Sequence, residues 1–222
     1  MEEKNVVLDN AKQVKEFIRD TFNDSKIGSV NVSDARYHHN ADFPRTPSVV
    51  RNGILSLSEL NRLGIRKFTK EELDRFSDTS SHINGIDFVS LAVVGLTDLY
   101  RDEEEYDPFM TSKVDINIAS SVVAHRNSSH YGNEFLAERL VRPEDFRAID
   151  IRLIKLMERI NLNNAIGNKD VEDLILYFNT LKEIATSIKE SKGDILLREM
   201  SNENMTLDID KVSNYPNIGI KR

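Results

Sequence analysis

Between residues 9 and 22 the apolar positions Ala11, Val14, Phe17, Ile18 and Phe22 recur at three- and four-residue steps, which lays one apolar stripe along a helix that Asp9 is placed to cap. Thr46 and Pro47 supply the N-cap and first-turn proline of a brief helix ending at Gly53, and Ser58 and Gly64 bracket another. Thr69 and Glu72 form a capping box ahead of Leu73 and Phe76. A longer stripe, Val171, Leu174, Ile175, Phe178, Leu181, Ile184, Ala185 and Ile188, predicts a helix over Val171 to Lys189 with Gly193 as its stop; its apolar face serves either packing or a protein partner.

Other segments carry the two-residue period of strands. Val114, Ile116 and Ile118 alternate with Asp115 and Asn117, and Ile86 to Val94 is nearly continuous in β-forming residues, as in a strand covered on both faces. From His130 the chain runs Tyr131-Gly132-Asn133-Glu134-Phe135-Leu136-Ala137-Glu138, so that Glu134 opens an apolar strand beside an aromatic ring. A turn at Pro143 follows, and Ala148 to Leu153 then alternates like the returning arm of a hairpin. Asp102 to Asp107, with five acids and a tyrosine, reads as an exposed loop, Ser120 to Ser129 as a polar connection, and the last thirty residues as a partly loose tail.

With 222 residues, 39% hydrophobic and 30% charged, the chain has the means to bury a full core as one domain, 1–222, comprising a helical lead-in (1–30), a core (31–155) and a helical C-terminal part (156–222). No stretch approaches the roughly 18 to 20 apolar residues of a membrane span, and Met-Glu-Glu-Lys lacks the apolar core of a signal peptide. Residence in the cytoplasm, without membrane association, is the resulting expectation. The absence of cysteine excludes disulfides, thiolate catalysis and cysteine-ligated zinc. A formal charge of −7 argues against broad, sequence-independent capture of nucleic acid but leaves room for a local basic cleft. No Gly-x-Gly-x-x-Gly, P-loop or Gly-x-Ser-x-Gly pattern is present, which disfavours Rossmann dehydrogenases, nucleotide kinases and serine hydrolases.

Four patches, taken in order, carry a resemblance. They are Tyr37-His38-His39-Asn40, Asn52-Gly53-Ile54-Leu55, Gly85-Ile86-Asp87-Phe88-Val89-Ser90 and Asn133-Glu134-Phe135-Leu136. This order resembles the ADP-ribosyltransferase superfamily, in its diphtheria-toxin-like branch and among the DNA-modifying bacterial toxins of the DarT type. The resemblance implies an α+β fold with a split, mainly antiparallel sheet, and a chain that uses NAD to modify a macromolecule, protein or nucleic acid, as a bacterial or phage-linked toxin would.

Carried over by position, the resemblance makes His38 the histidine that hydrogen-bonds a ribose of NAD, with His39 as its fallback and Asn40 where the family has Thr or Ser. Gly53 matches the glycine after the helix, and Glu134 the glutamate that holds the nicotinamide ribose and supports the developing oxocarbenium ion. Tyr37 and Ser90 flank these positions and join the cofactor-binding set. The family's Gly-Ile-Tyr-Phe tyrosine, which stacks on nicotinamide, falls at Asp87, so Phe88 or Tyr131 is left to supply the ring. Arg36, Arg45, Arg51 and Arg126 are candidates for the pyrophosphate.

The chemistry asks for such residues whatever the name. Cleaving the bond to nicotinamide passes through a sugar cation, and a fixed anion beside that ribose stabilises charge that grows in the transition state. One carboxylate suffices, because the leaving group is already cationic. Acceptor choice, among base, protein side chain, RNA end and water, lives in loops that no motif fixes.

Two other readings use the same chain. His38, His39, His125 and His130 with Asp87 or Asp115 offer ligands to zinc or manganese in a hydrolytic nuclease or phosphatase, although the five-residue step from His125 to His130 does not stack ligands on a helix. A non-catalytic interaction module, such as an immunity or inhibitor protein, fits the acidic charge and the helix Val171 to Lys189.

Overall fold

In the computed structural model, the structure describes residues 5–72, 85–94, 113–127, 134–160, 169–191, 193–200 and 205–221. Strand β1 (Asn5–Leu8) leads into helix α1 (Ala11–Ser25), β2 (Lys26–Gly28), β3 (Ala35–Asp42), α2 (Thr46–Asn52), β4 (Ile54–Leu55) and α3 (Leu57–Arg62). Then come β5 (Phe88–Val93), β6 (Lys113–Ala119), β7 (Ala124–Arg126), β8 (Glu134–Glu138), β9 (Leu140–Val141) and β10 (Phe146–Ile151). The remainder is α4 (Leu153–Arg159), α5 (Lys169–Glu190), β11 (Leu196–Glu199), β12 (Met205–Leu207), α6 (Ile209–Ser213) and β13 (Asn217–Ile220).

The fold is α+β. Nine strands form one sheet in the order β2-β12-β11-β10-β6-β3-β5-β8-β7, in which β10 and β11 pair in parallel and the remaining neighbours are antiparallel. The sheet has a weak seam. Where β3 and β6 pair over most of their length, the β3–β5 ladder consists of Tyr37 with Val93 and His38 with Ala92. One residue beyond it, His39 Nδ1 reaches the Ser90 carbonyl at 2.9 Å, so a side chain takes over where the backbone ladder stops.

The period-two alternation of β6 determines the two faces of the sheet. Val114, Ile116 and Ile118 are fully buried in a core shared with Leu91, Ile149, Ile151 and Leu197 from the neighbouring strands. The stripes of α1 and α5 close that core. Phe17 meets Phe178 edge-on at 5.8 Å, and Phe178 stacks on Tyr215 at 5.5 Å. The stripe from Val171 to Ile188 is therefore used for packing within the chain, with Ile175 partly buried against the core.

Short helix α4 is held at both ends by side chains from distant elements. Its first amide, from Leu153, donates to the buried Glu199 carboxylate at 2.9 Å, and the Ile160 carbonyl at its other end accepts from the Lys15 ammonium. Anion at the N-terminus and cation at the C-terminus complement the helix dipole. Burial pushes the Lys15 ammonium below its ordinary range, the largest of its causes.

Several expectations need correction. Asn10, one residue after Asp9, caps α1 and accepts from the Gln13 amide, whereas the Asp9 amide is taken by the Gln13 side chain. Ser56, not Ser58, caps α3. Strand β5 is not covered on both faces, since Val89 and Leu91 are buried while Ser90 is exposed. The hairpin expected between β8 and β10 does not exist, for β6, β3 and β5 lie between them. The polar connection after Ser120 contains β7 at the sheet edge, and the tail read as loose supplies β11 and β12 to the sheet and β13 to a parallel pair with β1. The Thr69–Glu72 capping box is present in both directions, at 2.9 and 3.2 Å, while Leu73 and Phe76 lie outside the described residues.

Candidate functional site

Glu134 begins β8, and its carboxylate is held from two strands at once. Ser90 Oγ on β5 donates to one oxygen at 2.5 Å, and Asn127 Nδ2, just past β7, donates to the other at 2.6 Å. The Asn127 amide also donates to the Glu134 carbonyl at 2.9 Å, which extends the β7–β8 ladder by one residue and fixes Asn127 directly opposite Glu134. Asn127 is itself buried. Two donors in place deny the carboxylate free rotation.

The register then decides which residues share its face. Glu134 lies opposite Ala92, Ala92 opposite His38, and His38 opposite Asn117. Directly opposed residues point the same way, so Asn117, His38, Ala92, Glu134 and Asn127 form one row across five strand positions. Ala92 is the low point between His38 and Glu134, whose strands lie roughly 10 Å apart at about 4.8 Å per neighbour. A small side chain thus stands between an imidazole and a carboxylate.

A second row runs beside the first. Asn40 lies opposite Asp115, Asp115 opposite Asp150, and Asp150 opposite Arg198. Arg198 grips Asp150 through two bonds of 2.7 Å, and Asn117 donates to the same carboxylate at 2.8 Å. His38 Nδ1 lies 3.7 Å from Asp115 Oδ1, with both side chains largely buried. One face of the sheet is thus apolar and packed, the other lined by paired polar groups ending at Glu134.

The remaining sequence candidates fall in several places. His39 is on the face opposite to His38, as adjacent strand residues must be, and is bound to the Ser90 carbonyl. Tyr37 is buried, with its ring 5.3 Å from that of Phe135 and the Arg36 guanidinium 5.2 Å over it, so Arg36 stacks on aromatic rings. Asn40 belongs to the row of acids, and Phe88 is half-buried at the start of β5 opposite Glu138. Ser90, expected from sequence as a ligand contact, donates its hydroxyl to the Glu134 carboxylate.

Gly53 has a structural cause for its identity. It ends α2 at φ 84° and ψ 177°, donating its amide to the Val49 carbonyl, and an added Cβ would run into the Val141 carbonyl and Leu140 Cδ1 of β9. Arg126 sits on β7 opposite Phe135. Arg45 is paired with Asp42 at 3.4 Å and Arg51 with Glu190 at 3.5 Å, both at the surface. Tyr131 and His130 lie outside the described residues.

Asn127, Asn117, Asp150 and Arg198 were missed by sequence reading. For Asn117 and Asp150 the signal was present, as the polar positions of alternating strands; for Asn127 there was none, because it lies in a polar stretch without periodicity. Among the described residues no group of three or more His, Asp or Glu side chains is gathered as a metal would require.

No family model and no curated protein matches the sequence. Among solved structures, Thermosipho africanus DarTG in complex with ADP-ribose is similar over 76% of this chain at 10% identity and a TM-score of 0.41. The chain spans 50% of the length of that solved chain, and the likeness is a remote structural resemblance.

Proposed function

We propose that the chain is an NAD-dependent ADP-ribosyltransferase, with Glu134 as the catalytic carboxylate and His38 as the ribose-facing histidine on the same side of the sheet. The observation that carries this reading is the clamp of Ser90 and Asn127 on Glu134. A strand-end glutamate kept only for solubility would resemble Glu138, four residues along the strand, whose side chain is 76% exposed and pairs at 4.0 Å with the similarly exposed Arg139. The four sequence patches of the superfamily supply the second support, since β3, β5 and β8 are neighbours in the sheet and bring three of them together.

In the reaction the acceptor nucleophile bonds to the ribose carbon that carries nicotinamide, the bond to the ring nitrogen breaks, and its electron pair leaves with neutral nicotinamide. The residues of this chain supply an anion beside the carbon where positive charge grows, already oriented and therefore needing no rearrangement at the moment of reaction. A macromolecule, protein or nucleic acid, is the proposed acceptor.

The test is nicotinamide release from NAD by the EDTA-treated protein, with protein, RNA and DNA supplied separately and each examined for added ADP-ribose mass. Glu134→Gln should keep the melting curve and lower release by about a thousandfold, whereas Glu138→Gln should change neither. Retained turnover in Glu134→Gln sinks the assignment. Loss of turnover on chelation with rescue by zinc or manganese points to a hydrolytic metal enzyme instead.

A further inference from the structure

We infer that His39 is a positioning residue for Glu134, acting from the packed side of the sheet: its ring holds the Ser90 backbone, and Ser90 in turn holds the carboxylate. The inference rests on the reading of Glu134 as the catalytic group of an NAD site and adds what sets that group's place relative to His38.

The two groups of the proposed site stand on opposite sides of the seam, His38 on β3 and Glu134 on β8, with β5 between them. Across the seam the Val94 amide donates to the Arg36 carbonyl at 3.1 Å, and the ladder ends with His38 opposite Ala92. Alternate residues of a strand turn their backbone groups to the same neighbour, so after Val94 and Ala92 the next carbonyl facing β3 is that of Ser90. His39 Nδ1 meets it at 2.9 Å, and because a carbonyl oxygen only accepts, the nitrogen is the donor.

His39 lies opposite Ile116, which is fully buried in the core, so its ring is on the packed face while the Ser90 hydroxyl reaches Glu134 on the other. The carbonyl and the hydroxyl of Ser90 share one Cα, and a displacement of the backbone there is carried to the carboxylate through the 2.5 Å bond. Asn127 holds the second oxygen at 2.6 Å from beside β7, on Glu134's own side of the seam, and so fixes the carboxylate within its strand pair and not against β3. The His39 bond crosses the seam. Since His39 follows His38 in the chain, the same bond sets the spacing of imidazole and carboxylate, and a misplacement of about 1 Å in a reacting geometry costs about a hundredfold in rate.

His39→Leu removes the donor and keeps bulk, whereas His39→Asn returns an N–H near the position of Nδ1. In protein labelled with 13C at the glutamate carboxylates, the Glu134 signal is assigned by its loss in Glu134→Gln, and melting curves establish that each variant is folded. The expected result is that Ser90→Ala moves this signal, His39→Leu moves it in the same direction, and His39→Asn returns it toward the parent. For nicotinamide release, kcat should fall about tenfold in His39→Leu with KM for NAD within about twofold, and recover to within about threefold in His39→Asn. Added to Ser90→Ala, His39→Leu should lower kcat by no more than about a further twofold, because groups acting in series are not additive. An unmoved Glu134 signal in folded His39→Leu, or losses that multiply in full in the double variant, overturns the inference. If the carboxylate signal behaves as expected while the parent releases no nicotinamide, the proposed function fails and the tie from His39 through Ser90 to Glu134 stands.

Discussion

Gly53→Ala separates a fold requirement from a ligand requirement at the same residue. The backbone there has φ 84° and ψ 177°, a region essentially confined to glycine and costing about 1 to 3 kcal/mol for any other residue. The added methyl meets the Val141 carbonyl, which the β4–β9 pair fixes through Ile54 opposite Val141, so one neighbour cannot move away cheaply. Overpacking of that kind adds about 1 to 3 kcal/mol. Together they predict a loss of about 2 to 6 kcal/mol, and for a chain of this length about 2 to 4 °C of Tm per kcal/mol, a drop on the order of 10 °C. Urea unfolding followed by circular dichroism measures the first quantity and a melting curve the second. If Gly53→Ala unfolds within about 0.5 kcal/mol of the parent yet loses NAD affinity, the glycine serves the ligand, and the structural account given for it is wrong.

Other perturbations test the site and its surroundings. Ser90→Ala and Asn127→Ala each remove one charge-assisted hydrogen bond from Glu134 and should lower nicotinamide release about 10- to 100-fold while leaving the fold intact; unchanged rates in both would show that the clamp does not matter. His38→Ala should weaken NAD binding by titration calorimetry more than Asn40→Ala, and equal effects would remove the special standing of the imidazole. Arg198→Met leaves Asp150 buried opposite Asp115 and should cost about 3 kcal/mol in urea unfolding, most of it recovered by adding Asp150→Asn; no recovery would place the loss in packing. Burial pushes the Tyr215 hydroxyl up to about 12, above its ordinary 10, so the folded state holds the proton more tightly than the unfolded state. Its contribution is complete below pH 10 and is lost as pH rises toward 12, and Tyr215→Phe should flatten that part of the Tm-against-pH curve.

How much of this was legible in the sequence depends on whether the signal is local. The stripe of α5 and the alternation of β6 are properties of short windows, and Val114, Ile116 and Ile118 could be placed in a core from spacing alone. The Thr69–Glu72 box and the glycine after α2 were likewise written in neighbouring residues. Strand partnership is not. Ala148 to Ile151 alternates as a returning strand should, yet it pairs with β6 and β11, because pairing is decided by which apolar faces cover α1 and α5 together and not by proximity in the chain. Short edge strands leave almost no pattern: β7 is three residues, two of them exposed, and nothing in Ala124-His125-Arg126 distinguishes it from a loop. The strands of the C-terminal stretch are similarly brief, and the polar residues between them suggested looseness.

The site shows the same division. Glu134 was visible because an acid at the mouth of an apolar strand is unneeded for that strand, but the reason it differs from Glu138 lies in residues 44 and 7 positions away, Ser90 and Asn127, which only the sheet brings to it. The short ladder between β3 and β5 lets one residue serve both faces of the sheet. A full ladder there would extend backbone pairing across the level of His39 and Ser90; instead His39 ties the Ser90 carbonyl from one face while the Ser90 hydroxyl holds Glu134 from the other. Adjacent histidines on one strand therefore stand on opposite sides of the sheet, His38 on the face of Glu134 and His39 behind it, with Ser90 as the residue that links His39 to Glu134.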